Sequence, residues 1–244
     1  ESKMEFTSKH YLNLIKLASK KFKFINFKDN YDIYENVVLW RHDIDFSPQR
    51  ALIMAQQEAE LGLSTNYFVQ VTSIYYNILE SETAKIIKKI HSLGHHVGLH
   101  FDPSVCDENE LDIFEKRVKF ESSILKEIIR DDINVFSIHN PTTLKGVNLD
   151  EFRHFGFINA TSSKLLSNFK YCSDSNGYWR YDVLDELILD KNIKQLYVLT
   201  HPVWWQEKQM SPRAKIERSI EGRSIFVKKY YDQLLSENNR KNIK

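Results

Sequence analysis

The chain has 244 residues, of which 42% are hydrophobic and 27% charged, and its formal net charge is +1. This length suits one large α/β domain, and the near-neutral charge gives no sign of nucleic-acid or membrane-surface binding. No apolar run reaches membrane-spanning length, and the N-terminus lacks a signal-peptide pattern. Cys106 and Cys172 have no metal-ligand spacing. We therefore expect a cytoplasmic protein without a membrane span.

Helical and strand patterns alternate along the chain. In chain order the predicted elements are helix 7–22, lead-in 24–27, strand 37–42, helix 51–61, strand 64–71, helix 81–93, strand 95–102, helix 107–130, strand 135–138, weaker strands 157–160 and 169–172, strand 195–200 and helix 212–236. We expect Ser47 and Ser81 to cap the second and third helices at their N-termini. This alternation predicts a mainly parallel sheet with crossover helices.

Ionisable side chains occur repeatedly where a predicted strand ends. Asp43 and Asp45 come at the end of the first clear strand, and His100, His139 and His201 come at the ends of three later strands. Two neighbouring carboxylates require a cation or a shared proton. Because the carboxyl ends of parallel strands converge on one mouth, this recurrence favours a metal or acid–base site over unrelated structural residues.

Carboxylate and imidazole groups are the usual ligands of a catalytic Zn²⁺ or a similar divalent ion. Such an ion lowers the pKa of water and polarises a carbonyl. A second carboxylate can then accept the proton of the water, and a histidine can protonate the leaving group. The sequence contains no G-x-S-x-G elbow and no Walker-type loop. These residues therefore predict metal-assisted hydrolysis of an amide or ester.

Several segments resemble motifs of the polysaccharide deacetylase (NodB-homology) superfamily. They are R-H-D-I-D at 41–45, G-H-H-V-G-L-H at 94–100 and L-T-H-P at 199–202, and their form is similar to a divergent WbmS-like branch. The resemblance runs from about residue 37 to about 206. It implies an α/β fold, a distorted (β/α) barrel of about seven parallel strands. Residues 1–36 would pack on this barrel as a helix and lead-in, and the barrel with its C-terminal helix would span 37–244.

The resemblance also implies an activity and a set of roles. Proteins of this superfamily are metal-dependent hydrolases of non-peptide C–N bonds that remove acyl groups from amino sugars. Carried over, Asp43 is the catalytic base, Asp45 and His100 bind the metal, and His201 is the acid. We interpret the adjacent His42 either as a donor to a neighbouring backbone group or as a hydrogen-bonding partner of Asp45, rather than as a ligand.

One position departs from the motif, because Ser104 stands where the superfamily has its second histidine ligand. Three residues are candidates for the missing ligand. His139 ends the next strand and is favoured. Asp102 is nearer but is equally suited to capping the following turn, and His96 lies four residues before His100 along the strand.

The substrate contacts are less constrained by the motifs. Arg180 or Arg41 is a candidate for the arginine that the superfamily uses to bind substrate. Trp204 is interpreted equally as part of a sugar-stacking wall, with Trp205, or as a plug of the barrel rim. Asp174 either contacts substrate or orders a loop.

The expected function is removal of an acetyl or formyl group from an amino sugar during surface-polysaccharide (O-antigen or capsule) biosynthesis. The partner would be a carbohydrate, nucleotide-linked or lipid-linked if the protein is cytoplasmic, and the cofactor a divalent ion, Zn²⁺ in our expectation. The alternative is a degenerate barrel that binds glycans or serves in assembly. Another metal-dependent barrel reaction stays open as a third reading. The final helix, with Ile225 and Tyr230, is interpreted as a packing element.

Overall fold

The computed structural model describes residues 5–106, 110–144 and 147–243. Within these residues nine strands form one sheet, and seven α-helices accompany it. The strands are β1 (Lys23–Ile25), β2 (Val37–Ile44), β3 (Asn66–Val69), β4 (His96–Phe101), β5 (Val135–Ile138), β6 (Arg153–His154), β7 (Phe157–Asn159), β8 (Lys170–Ser173) and β9 (Gln195–Thr200). The helices are α1 (Ser8–Ser19), α2 (Pro48–Glu60), α3 (Ser81–Ser92), α4 (Leu111–Ile129), α5 (Ser163–Leu166), α6 (Leu184–Leu189) and α7 (Pro212–Glu237).

The sheet runs in the order β6-β7-β5-β4-β3-β2-β9-β8, and β1 pairs with β2 beside this path. Every pairing is parallel except that of the short β6 with β7. The sheet curls strongly, since Tyr197 of β9 donates through its hydroxyl to the carbonyl of Ala160 just beyond β7, at 2.8 Å. The predicted α/β fold with a barrel-like, mainly parallel sheet is confirmed.

Strand β2 lies at the centre of the molecule, and all eight of its residues are buried. Its side chains alternate between two cores, as the pleat of a strand requires. Val37 and Leu39 pack inside the curl of the sheet, together with Phe68 and Tyr197. Trp40 packs on the outer side, in the core that includes α1. Asp43, near the end of the strand, faces the same inner side as Val37 and Leu39, because even spacing along a strand keeps the face.

A close approach below the site explains Gly98 of β4. A Cβ atom at this position would lie 2.7 Å from a ring carbon of Phe68, which is closer than side chains tolerate. The Phe68 ring in turn lies 5.1 Å from the Arg41 guanidinium carbon. Gly98 therefore makes room for the aromatic ring on which Arg41 rests.

The helix ends follow the sequence with small differences. Ser47 caps α2 by accepting from the amide of Arg50, as predicted. The N-cap position of α3 is Glu80, whose side chain makes no capping hydrogen bond, so the expected cap at Ser81 is wrong. The predicted start of the fourth helix at 107–109 lies outside the described residues, as do positions 1–4 and 244 of the predicted domains.

The interpretation of the final helix as a packing element is wrong for most of its length. Its first turns are anchored, because Lys215 is buried and donates to the carbonyl of Phe6 at 3.2 Å. Farther along, Ile225 and Tyr230 are more than half exposed. The apolar side chains of this part of α7 are therefore not buried, although their hydrophobicity suggested that they would be. In the described part of the chain, no helix has the length and apolar character needed to cross a bilayer.

Candidate metal centre and active site

A cavity of about 810 Å³ opens at the carboxyl ends of the central strands. Parallel strands converge at this edge, so side chains far apart in sequence meet there. The cavity brings together all seven site residues predicted from the sequence, which are Asp43, Asp45, His100, His139, Arg180, His201 and Trp204.

Asp45, His100 and His139 form a compact triangle of potential metal ligands. His100 Nε2 lies 3.2 Å from Asp45 Oδ1 and 3.1 Å from His139 Nδ1, and His139 Nδ1 lies 3.8 Å from Asp45 Oδ1. Tetrahedral zinc with bonds of about 2.0–2.2 Å places neighbouring ligand atoms about 3.3–3.6 Å apart. Asp45 Oδ1 is buried and makes no hydrogen bond within the described residues. This donor set and this unsatisfied oxygen fit a divalent ion.

The surroundings favour the ligating forms of all three side chains. His100 Nδ1 lies 2.7 Å from Ser137 Oγ on β5, so a proton on Nδ1 leaves Nε2 for a metal. Burial and the neighbouring His100 lower the pKa of His139, which favours its neutral form. Burial would raise the pKa of the Asp45 carboxyl, but the close histidines outweigh it and hold that pKa below its ordinary value.

Asp43 lies beside this triangle and is fixed by Arg41. Two guanidinium nitrogens donate to its two carboxylate oxygens, at 2.7 and 2.6 Å, and a third donates to the Tyr197 hydroxyl at 3.1 Å. Burial would raise the pKa of Asp43, but Arg41 and His100 outweigh it and keep the group ionised. Because Arg41 is committed to Asp43 in this way, its alternative assignment as the substrate-binding arginine is not supported.

His201 faces the opposite side of Asp45, with 3.8 Å between Nε2 and Asp45 Oδ2. Its other ring nitrogen, Nδ1, lies 2.6 Å from Asp174 Oδ1, and its backbone amide also donates to Asp174. Burial lowers the pKa of His201, but the hydrogen bond and charge of Asp174 dominate and raise it to about 9. His201 is therefore held as a proton donor.

The role of Asp174 was missed by the sequence interpretation, which offered substrate contact or loop ordering. The carboxylate is fully buried and also accepts from Trp205 Nε1 at 2.8 Å. Both Trp204 and Trp205 belong to the buried core, and of the two Trp204 also borders the cavity. No sequence spacing links Asp174 to His201, because the two residues come from the ends of neighbouring strands.

The other two candidates for the missing ligand do not join the triangle, although Asp102 lines the same cavity. Asp102 caps a turn, accepting from the Ser104 amide at 2.9 Å and from Gln70 Nε2 at 3.1 Å. His96 is exposed at the start of β4, at the opposite end of the strand from His100. Of the three candidates, His139 alone contributes a ligand atom to the triangle found among the described residues.

His42 does not contact Asp45, so that interpretation is wrong. Adjacent residues on a strand face opposite sides, and His42 lies on the outer side of β2. There its Nε2 lies 2.9 Å from a carboxylate oxygen of Glu58 and its Nδ1 lies 2.6 Å from Thr200 Oγ1. Its ring stacks on Tyr67 with centroids 4.3 Å apart. His42 thus joins α2 to the sheet behind the site.

Glu58 is at the centre of this outer polar cluster. Its buried charge makes the stability of the fold depend on pH. It is fully buried and accepts from Tyr67 Oη at 2.8 Å and Thr65 Oγ1 at 2.7 Å. Burial raises its pKa, but His42 and the other partners outweigh this and hold it at about 2, against 4.5 for the ordinary side chain. Ionised Glu58 therefore stabilises the fold above pH 4.5, and this stability is lost as the pH falls towards 2.

We expect Glu58→Gln to be less stable than the wild type at pH 6, with the difference shrinking by about 2 kcal/mol at pH 3. Urea unfolding at both pH values measures this. The exposed Glu82→Gln on α3 is the control and should show no such change. A difference for Glu58→Gln that is equal at both pH values would contradict the expected role of the buried charge.

No protein-family model matches the sequence, and no curated protein matches it. Solved structures do show similarity. A family 4 carbohydrate esterase from Bacillus anthracis gives a TM-score of 0.46 at 11% identity, covering 86% of this chain and 84% of that one. Peptidoglycan deacetylase PdaC from Bacillus subtilis gives a TM-score of 0.48 at 10% identity, covering 85% of this chain and 99% of that one.

A third similar structure is a mutant, with restored activity, of a family 4 (CE4) pseudoenzyme from Bacillus anthracis. Its TM-score is 0.49 at 12% identity, covering 79% of this chain and 64% of that one, so this chain spans less than two thirds of that protein. At identities this low, the similarity concerns only the course of the backbone.

Proposed function

We propose that the chain is a metal-dependent hydrolase that removes an N-acyl group, acetyl or formyl, from an amino sugar in bacterial surface-polysaccharide biosynthesis. The observation that carries this proposal is the triangle of Asp45, His100 and His139, with Asp43 and His201 on either side. The motif resemblance supports the same reading. A pair of imidazoles with one carboxylate is a donor set that suits Zn²⁺, which we propose as the ion.

When bound to these three side chains, a divalent ion would lower the pKa of water and polarise the acyl carbonyl. Asp43 accepts the proton of the attacking water. Its carboxylate is suited to this because Arg41 holds both oxygens in a fixed plane and keeps the group ionised between turnovers. Because Arg41 occupies both oxygens of Asp43, we propose that Asp45 binds the metal and Asp43 transfers the proton.

His201 donates a proton to the nitrogen of the leaving amine. A leaving amine needs this proton because an amide anion is too basic to depart. Asp174 fixes the ring by accepting from Nδ1, so Nε2 faces the cavity with its proton. The pKa of about 9 keeps His201 protonated at neutral pH. A bound cation beside Asp45 would lower that pKa towards the working range.

The remaining predicted residues suit a carbohydrate. Trp204 lines the cavity next to Phe46, with ring centroids 5.9 Å apart, and the small part of its ring that is exposed would contact a sugar. Arg180 is exposed at the rim, where its guanidinium can donate to sugar hydroxyl or carboxyl groups. We propose Trp204 and Arg180 as substrate contacts.

The direct test is release of acetate or formate from a panel of N-acylated amino sugars, free, nucleotide-linked and polymeric. We expect release with zinc present, loss of release after chelation, and recovery when zinc is restored. Sugar binding without release, by a chain that takes up no zinc, would contradict the proposal and favour a degenerate glycan-binding barrel.

A further inference from the structure

A second cavity of about 330 Å³ lies next to the catalytic cavity. The two share Phe46 and Tyr75 in their walls, and these rings pack with centroids 4.5 Å apart. Phe46 directly follows Asp45. The two cavities are therefore neighbours that share this aromatic wall, and a ligand that reacts at Asp45 and reaches the second cavity would pass over it.

Three arginines, Arg50, Arg218 and Arg223, line the second cavity, and no acidic residue lines it. Arg223 pairs with Glu80 at 2.6 Å, and Arg50 pairs with the exposed Glu207 at only 3.4 Å. Arg218 has no carboxylate partner within the described residues. The wall thus carries more positive charge than its neighbours neutralise, which favours an anion.

Arg50 is the most buried of the three arginines, and its Nη2 already donates to Ser8 Oγ at 2.6 Å and to the carbonyl of Trp205. Its side chain is only 12% exposed, and its Nε is buried without a hydrogen-bond partner among the described residues. Burial and the like charge of Arg218 lower the pKa of Arg50 in spite of Glu207. A bound anion would relieve the repulsion between Arg50 and Arg218 and accept hydrogen bonds from the exposed Arg218 guanidinium.

The geometry of the wall suits phosphate in particular. Planar guanidinium groups bind phosphate oxygens in pairs, and several of them match a group that carries more than one negative charge. The cavity also includes Ser47 and Gln49 at the start of α2, where the helix dipole is positive. Phe226 adds an apolar surface beside the arginines.

We propose that this cavity binds the phosphate or diphosphate through which the amino-sugar substrate is attached to its carrier. This assignment deepens the proposed function and rests on it for the identity of the sugar. The anion-binding site itself rests on the three arginines. Its ligand chemistry, a sugar-linked diphosphate, occurs on both nucleotide and lipid carriers, and the experiment separates these two sources.

The test is calorimetric titration of the full chain with inorganic pyrophosphate in the presence of a chelator, which removes binding through a metal. We expect binding that weakens about tenfold or more in Arg218→Ala, the loss of one charge-assisted contact. Arg213→Ala is the matched control, because Arg213 lies on the same helix, is exposed and does not line the cavity. Absence of binding, or equal binding in the two variants, would overturn the proposal.

Two further titrations identify the carrier. Tighter binding of uridine diphosphate than of pyrophosphate supports a nucleotide-linked sugar, and tighter binding of farnesyl diphosphate supports a lipid-linked one. Failure of this site is distinguishable from failure of the proposed function. Pyrophosphate binding that depends on Arg218, in a chain that releases no acyl group, keeps the site and refutes the hydrolase. Acyl release from phosphate-free sugars, by a chain that does not bind pyrophosphate, keeps the hydrolase and refutes the anion site.

Discussion

Replacing Asp45 with alanine is expected to abolish both zinc binding and hydrolysis. Asp45 supplies the only carboxylate of the ligand triangle, and its Oδ1 has no hydrogen-bonding role that would explain its burial. A metal ion contributes several kcal/mol to catalysis, and each 1.4 kcal/mol is about a factor of ten, so the rate should fall by about 10³-fold or more. Mass spectrometry of the purified chain measures the metal, and acetate release measures the rate.

His139→Ala extends this test to the ligand that replaces the missing histidine. We expect it to lose the ion as Asp45→Ala does, because both contribute to the same triangle. Asp102→Asn is the matched control, since Asp102 lines the same cavity but is engaged in capping a turn. Zinc retained in His139→Ala but lost in Asp102→Asn would move the third ligand to Asp102. Zinc retained in Asp45→Ala would refute the site.

Replacing Asp43 with asparagine is expected to lower kcat by about 10²–10⁴-fold while zinc stays bound, because the variant loses the proton acceptor but none of the three ligands. The substitution also leaves Arg41 buried with its partner charge removed. Breaking a buried ion pair in this way costs about 3–5 kcal/mol. Urea unfolding should detect this loss, so turnover is measured under conditions where the variant is folded.

Asp102→Asn again serves as control for Asp43→Asn and should retain near-normal turnover and stability. Loss of zinc in Asp43→Asn would mean that Asp43 is a ligand rather than the base. This outcome has to be tested because His100 Nε2 lies 3.4 Å from Asp43 Oδ2, a distance that two ligands of one metal ion can have. Unchanged kcat would remove Asp43 from the mechanism altogether.

Local sequence patterns predicted most strands and helices and several site residues, because such patterns indicate periodicity and burial. A continuous apolar run identified β2, and the polar residues at strand ends located Asp43, Asp45, His100 and His201 before any strand order was known. Parallel strands make this possible, since their carboxyl ends meet wherever the strands lie in the sheet. The same pleat would have placed His42 on the outer face, had alternation been applied to it.

Partners distant in sequence were decided only by the tertiary structure. Asp174 contacts His201 because β8 and β9 pair in parallel register, and no local pattern encodes that neighbour. His139 was one of three candidate ligands until the parallel pairing of β4 with β5 brought its Nδ1 to His100.

The residues of the second cavity are also brought together only by the tertiary structure. Arg50 begins α2 and Arg218 lies on α7, so neither helix pattern marks an anion site by itself. The sequence by itself determined which side chains lie at strand ends and which faces are buried, because these depend on neighbours two to four residues away. Only packing between remote segments decided which of those side chains meet, since that contact is a property of strand order and helix docking.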